Sequence, residues 1–446
     1  MIVQADRSIT TPARTGAAQT DHSLPRVALA CCAGTTIEFY DFFIYGTAAA
    51  LVFGRVFFPS LGAATATVAA FATFGVAFFF RPLGGVLFGH VGDRLGRKTT
   101  LISTLALMGG STTAIGLLPG PTSIGVASPL LLVGLRALQG LAVGGEWSGA
   151  ALLAAEYAPP GRRGRYGMFP QLGPGIAFGL SSTTFLVTSL TMTPAHFVAW
   201  GWRIPFLASV LLVAVGLYIR LRIAETPVFQ GMRSRHEQAR VPVVDAVRHQ
   251  WRQILLAGGA MSTLFGFFYI GSVFLTSYAG PVRGGGLGLS RQAVLACGIL
   301  AAGVMAGATV ASALASDRFG RRPALLAGAL AGIVYAPLAF VIMQPGSVLR
   351  FGIALVGLMT IVGILAGPAA SYLPELFATR YRYTGAGIGY NLAGLLGGAL
   401  PLVVAPPLRA RFGGTGVGVY LAALGLLTVG CLLALPEGRD RSLTIK

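Results

Sequence analysis

The stretches GHVGDRLGRK (89–98) and ALASDRFGRR (313–322) share the core D-R-x-G-R-[K/R], and Asp93 and Asp317 stand 224 residues apart. The chain has 446 residues, so this spacing is about half its length and points to a duplication of the whole chain. A second pair keeps the period: AEYAPPGRRGRYG (155–167) and PELFATRYRYTG (374–385) place Glu156 and Glu375 219 residues apart. Outward from each motif run long apolar segments. Hydrophobic residues make up 54% of the chain and charged ones 11%, against roughly 25% charged in soluble domains. The runs predict twelve helices, at 27–54, 66–91, 99–119, 128–156, 166–190, 202–223, 253–281, 292–315, 323–345, 350–373, 384–408 and 415–436. Each has about 20–29 residues, enough to span a bilayer with some tilt.

The expected architecture is therefore an all-α membrane protein built from two six-helix halves, 27–223 and 253–436. A cytoplasmic linker at 224–252 joins them, between a disordered cytoplasmic N-terminus at 1–26 and a cytoplasmic tail at 437–446. No cleavable signal peptide is expected, because the first apolar run is long enough to span. Such paired repeats typify secondary transporters, whose substrate site lies between the halves near the bilayer midplane.

A net charge of +19 raises the possibility of nucleic-acid binding. The distribution argues against it. Of the 33 basic residues, 24 fall in the segments on the side of the D-R-x-G-R motifs and seven on the other, with Arg81 and Arg136 inside helices. By the positive-inside rule this places both termini in the cytoplasm. Cys31, Cys32, Cys297 and Cys431 lie in apolar runs without metal or pairing spacing, and read as packing residues. The 63 glycines include the spacings Gly140/Gly144 and Gly145/Gly149, which suit close helix packing.

D-R-x-G-R-[K/R] after helices two and eight resembles the signature of the major facilitator superfamily. The segments GTTIEFYDFFIYG (34–46), FRPLGGVLFGHVGDRLGRK (80–98), LQGLAVGGEWSGA (138–150), GWRIPFL (201–207) and RYTGAGIGYNLAGLLGG (382–398) together resemble its metabolite:proton symporters. The resemblance runs from about Ala30 to Pro436. Members of that family carry shikimate, alpha-ketoglutarate, citrate, or proline and betaine. TAAALVF (47–53) and RYTGAGIGY (382–390) look most like the shikimate-type branch. The resemblance implies proton-coupled uptake of a small organic acid or zwitterion by rocking of the halves, without a cofactor, in the inner cell membrane and as a monomer.

Charges inside apolar helices mark the candidate site. Glu38 and Asp41 lie about 16 and 21 Å along a helix starting near residue 27, and their i, i+3 spacing puts them on one face. Two adjacent carboxylates in low dielectric cannot both stay charged cheaply, so such a pair suits taking up and releasing a proton. Asp41, the deeper, is the favoured proton site. Arg81 lies about 18 Å from the motif side. Its planar fork suits a carboxylate, that of a substrate or that of Asp41 or Glu38. Helix four adds Arg136, Gln139 on the same face, and Glu146. The resemblance sets RALQG (136–140) at a helix-four signature whose arginine is tied to proton coupling; a static Arg–Glu network is the other reading.

Helices seven and nine to twelve carry no clear mid-membrane charge, so proton handling is expected in the N-terminal half. Polar and aromatic substrate contacts are expected from Tyr269, Tyr278, Tyr390 and Asn391, with Gln171 in helix five. The motif loops read as a cytoplasmic gate made of Asp93, Arg94, Arg97 and Glu156, repeated by Asp317, Arg321 and Glu375. Asp93 would sit at the positive N-terminal end of a helix from the other half, while Arg97 reaches Glu156 and Arg321 reaches Glu375. A proton-coupled exporter is the runner-up, on the Gly-Pro pair of QLGPGIAFG (171–179). A transport-inactive sensor or a membrane enzyme finds no appended domain, metal cluster or nucleophile–base pair to support it.

Overall fold

The computed structural model describes residues 24–95, 97–144, 161–222, 242–280, 285–378 and 382–438, with positions 149, 151, 154 and 158. The side chains at 24–28, 30, 89–98, 101, 219–220, 222 and 242–245 lie outside that description.

Among the described residues twelve long rods follow the twelve apolar runs. We number them α1 (Leu24–Ala48, continued through Ala49–Phe53 and Gly54–Phe57), α2 (Ala63–Leu95), α3 (Arg97–Leu117), α4 (Ala127–Val143), α5 (Arg163–Thr191) and α6 (Arg203–Arg222). The second half has α7 (Pro242–Tyr269, continued through Ile270–Phe274 and Leu275–Tyr278), α8 (Arg291–Phe319), α9 (Arg321–Ile342) and α10 (Val348–Glu375). α11 starts at Arg382–Ala393 and runs through Gly394–Ala399 into Leu400–Ala434. Gly413 breaks that last helix at φ +70°, a conformation favouring glycine, and residues 414–434 form α12. By length and hydropathy alone seven segments qualify as spans, or eight with the bent pair Pro194–Gly201 and Arg203–Tyr218; one of the seven, Arg382–Ala434, contains two rods.

α7 begins at Pro242, well before the expected 253, and kinks at Gln250. The segment PVVDAVRHQ (242–250) mixes apolar and charged residues, which hid its helical character from a search for apolar runs. The duplication is visible in backbone detail. α1 and α7 each contain a π-helical turn, starting at Ala49 and at Ile270, an offset of 221. The halves meet where α5 packs on α8 and α10, and where α2 packs on α11. The α5–α8 and α11–α2 contacts are equivalent under a six-helix shift.

Within the first half α2 and α4 cross at backbone contact. A Cβ added at Gly84, Gly140 or Gly144 would strike the Leu141, Ala77 or Arg81 carbonyl oxygen. Those obstacles are helix backbone and cannot swing away. Gly144→Ala is therefore expected to cost at least ~2 kcal/mol by overpacking, seen as a lower thermal midpoint of the purified protein. Gly303→Ala, where nothing lies within 4 Å, should match the parent or exceed it. Equal midpoints for the two variants would contradict the crossing.

Candidate functional site

The α2–α4 crossing carries Arg81 and Arg136 into the space beside α1. Glu38, Asp41, Arg81 and Arg136 are 3, 1, 2 and 0% exposed, so each ionisable group needs compensation from protein. Arg136 Nη1 donates to Gln139 Oε1 (2.8 Å), Gln139 Nε2 donates to Thr112 Oγ1 (2.7 Å), and Thr112 Oγ1 lies 2.8 Å from Asp41 Oδ2. Arginine has no acceptor, so the Gln139 carbonyl must face Arg136 and its amide must face Thr112. Arg136 also donates from Nε to the Phe74 carbonyl (3.4 Å). Asp41 thus reaches Arg136 through two neutral side chains.

Phe42 meets both guanidiniums, its ring 4.4 Å from Arg81 and 4.1 Å from Arg136. Phe78 faces Arg81 at 4.5 Å, and Tyr45 and Phe74 face Arg136 at 4.2 and 4.6 Å. Aromatic faces attract a desolvated cation, so these rings offset part of the cost of burial. Arg81 Nε and Nη2 have no hydrogen-bond partner among the described residues. These two donors form one edge of the guanidinium, the edge that grips a carboxylate with two parallel bonds. The Tyr269 hydroxyl faces the same guanidinium and likewise has no partner of good geometry.

Glu38 and Asp41 do not share surroundings. Three helical residues advance 300°, leaving the two about 60° apart. Asp41 turns toward α3 and α4. Glu38 acts on Tyr269 of α7 and Tyr390 of α11, as Arg81 does. Tyr390 packs edge-on against Phe265 at 4.8 Å. Sixty degrees keeps the two acids on one broad face of α1, with Asp41 bonded to Thr112 of its own half and Glu38 acting on Tyr269 and Tyr390 of the other.

Gln171 Nε2 donates to the Ala366 carbonyl (3.1 Å) and Asn391 Nδ2 to the Gly144 carbonyl (3.2 Å). Both bonds cross between halves. Gln171 to Asn391 is an offset of 220 and Gly144 to Ala366 one of 222, so the same bond is made twice. Tyr278 stands at the far end of α7, stacked on Phe274 and under Arg409, away from the central cluster. Beyond the aromatic core Gly46 packs against Val273, and Phe43 against Phe268 at 4.9 Å.

On the motif side Asp317 receives the Gly164 and Arg165 N–H groups at 2.7 and 2.8 Å, capping α5 of the other half. Arg321 bridges Asp317 (3.1 Å) and Glu375 (3.5 Å), and Arg163 reaches Glu375 from α5 (3.6 Å). The geometry expected of Asp93 is adopted by its repeat partner. Glu437 caps α9, taking the Arg321 and Arg322 N–H groups at 3.0 and 2.9 Å. Glu146 and Glu156, and the side chains of Asp93, Arg94 and Arg97, lie outside the described residues.

Thr112, Arg163 and Glu437 were not singled out by the sequence. Thr112 lies on a buried line with Thr104 and Met108, four residues apart each, a periodicity that would have pointed it inward. Arg163 is one of the 24 basic residues on the motif side, where charge alone speaks only to topology. Glu437 is an acid just past an apolar helix on an otherwise basic side, a signal that was there to read.

The profile described as "Sugar (and other) transporter" matches residues 27–248 and again 246–444. The chain is 43% identical over 424 residues to the inner membrane metabolite transport protein YhjE of Escherichia coli K12, covering 95% of this chain and 96% of that one. It is 40% identical over 417 residues to the shikimate transporter of the same organism, covering 92% of each. It is 34% identical over 394 residues to the E. coli proline/betaine transporter, covering 86% of this chain and 78% of that one. The solved xylose transporter XylE from E. coli, in a partially occluded inward open conformation, superposes with a TM-score of 0.74 at 17% identity, over 95% of this chain and 100% of that one. That likeness speaks to fold.

Proposed function

The chain belongs to the sugar (and other) transporter family, and we propose that it imports a small carboxylate-bearing metabolite together with a proton. It is a multi-pass membrane transporter and not an enzyme. The reading places it in the inner membrane, where the metabolite transport relative is named, with both termini in the cytoplasm by charge bias.

The observation that carries the substrate class is the unpartnered Nε–Nη2 edge of Arg81. A buried guanidinium donor without an acceptor is costly, and a substrate carboxylate would satisfy both donors at once. Tyr269 would supply a third contact, with Phe42, Phe78 and Tyr390 against the body of the substrate. Shikimate, proline and betaine, named for two relatives, share a carboxylate and differ in the rest. We assign Glu38 to the substrate side, where it lies with Tyr390 and Tyr269. Asp41, tied to Arg136, is the proton site, and Glu146 belongs to the same coupling function.

Gln171 and Asn391 hold the halves together below the site in this conformation and would be released to substrate or water on opening. Asp317, Arg321, Glu375 and Arg163 form the cytoplasmic gate, with Asp93, Arg94, Arg97 and Glu156 as its counterpart. Breaking these contacts accompanies inward opening.

Uptake into proteoliposomes tests the reading, with an inward proton gradient and a panel of shikimate, aromatic acids, 2-oxoglutarate, citrate, proline and betaine. At least one carboxylate should accumulate and alkalinise the outside, while its methyl ester should not. Accumulation of the ester, or extrusion driven by the same gradient, would overturn the proposal.

A further inference from the structure

Thr112 Oγ1 has three polar neighbours: Asp41 Oδ2 at 2.8 Å, Gln139 Nε2 at 2.7 Å and the Met108 carbonyl at 2.9 Å. Gln139 is a donor. The other two compete for a single hydroxyl proton, since a threonine hydroxyl donates one hydrogen bond and accepts two. Among the described residues Thr112 is the one hydrogen-bond partner of Asp41, whose Oδ1 has none.

We propose that Thr112 is the positioning residue through which Asp41 changes charge without moving any heavy atom. The proposal rests on the reading of Asp41 as proton site. With Asp41 ionised, every donor in the chain points one way: Arg136 to Gln139, Gln139 to Thr112, Thr112 to the carboxylate. A proton arriving from water forms an O–H bond at Oδ2, and the carboxylate becomes a neutral acid. The new O–H donates to Thr112 Oγ1. The Thr112 proton stays on its oxygen and rotates to the Met108 carbonyl, while Gln139 keeps its bond. The bonds linking Arg136, Gln139, Thr112 and Asp41 Oδ2 are all kept in both states, while Asp41 Oδ1 and Arg136 Nη2 have no partner among the described residues. The pull of Asp41 on Arg136 is lost with the charge, and Arg136 is left as excess positive charge beside the site of the anion.

The ionisable groups facing Asp41 fit this account. Arg136 acts on it from α4 and Tyr40 from its own helix. Arg81 of α2 acts on Arg136 and on Tyr269 of α7. α3 and α5 carry their ionisable residues only in their first turns, and α6 carries its own at Arg203 and from Tyr218 onward.

The test uses the full-length protein in lipid, with protons as the ligand, and reads the infrared C=O stretch of a protonated buried carboxyl as solution pH is raised. Asp41→Asn identifies the band by removing it. Thr112→Val keeps the side-chain shape and deletes the donor, and the acid band should persist into solution more alkaline by about one pH unit. Thr112→Ser should return the midpoint to within ~0.3 units of the parent, which a packing role would not do. If the valine variant does not fold, Thr112→Ala gives the same readout. A valine midpoint equal to the parent, with the band still lost in Asp41→Asn, overturns the role of Thr112 and leaves the proton site standing. A band unchanged in Asp41→Asn removes the proton site itself, and this inference with it.

Discussion

Arg81→Lys is expected to lower uptake at sub-saturating substrate about 100-fold, with insertion into the membrane unchanged. Lysine preserves the charge but presents it as a point rather than a planar fork. It loses the two parallel bonds to a carboxylate, and its ammonium lies less well between the Phe42 and Phe78 faces that flank the guanidinium at 4.4 and 4.5 Å. Truncating one partner of a buried, hydrogen-bonded charge pair costs about 2–5 kcal/mol. A 100-fold loss corresponds to about 2.8 kcal/mol, which lies inside that range. The loss should appear mainly in the half-saturation concentration, because the guanidinium is assigned to holding the substrate rather than to moving the proton. Uptake within threefold of the parent would show that Arg81 serves the helix bundle and not the substrate.

Asp41→Asn should abolish accumulation while leaving exchange of labelled for unlabelled substrate intact. Asparagine is close in shape to a protonated aspartate and can still bond to Thr112. A carrier with this residue is fixed in the proton-loaded form: it can shuttle substrate but cannot release a proton to drive it uphill. With one proton per substrate, a gradient of one pH unit supports about tenfold accumulation. The variant should settle near equal concentrations on both sides. Proton-driven accumulation at the parental level would remove Asp41 from coupling. The two variants are separable, since Arg81→Lys weakens exchange and accumulation alike.

The fold was legible because charge in apolar runs is rare and a repeat shows itself in the spacing of its motifs. Asp93 with Asp317, and Glu156 with Glu375, carry the duplication whatever the helix bounds. Glu38, Asp41, Arg81 and Arg136 could each be found because hydrocarbon makes an ionisable residue conspicuous. Their pairing could not. Depth along a helix follows from residue counts, whereas the direction a side chain faces depends on how helices cross. The glycine contacts of Gly84 and Gly144 settle that for α2 and α4, and they put Arg136, not Arg81, at the end of the chain from Asp41. Thr112 stayed hidden because a threonine in an apolar helix usually bonds back to its own turn, as Thr112 also does with Met108.

The paired bonds Gln171–Ala366 and Asn391–Gly144 bear on ancestry. In a symmetric dimer any contact from one subunit to the other occurs twice, because the interface is isologous. A six-helix ancestor pairing with itself would have made this amide–carbonyl bond in two copies, and fusion into one chain would have kept both. The charges did not stay symmetric. Positions 260–266, 300–306 and 355–361, where the duplication would place partners for Asp41, Arg81 and Arg136, hold no charged residue. The half that carries Asp41, Arg81 and Arg136 holds the charges, the other faces them with Tyr269 and Tyr390, and the seam between the two has the form of a meeting of equals.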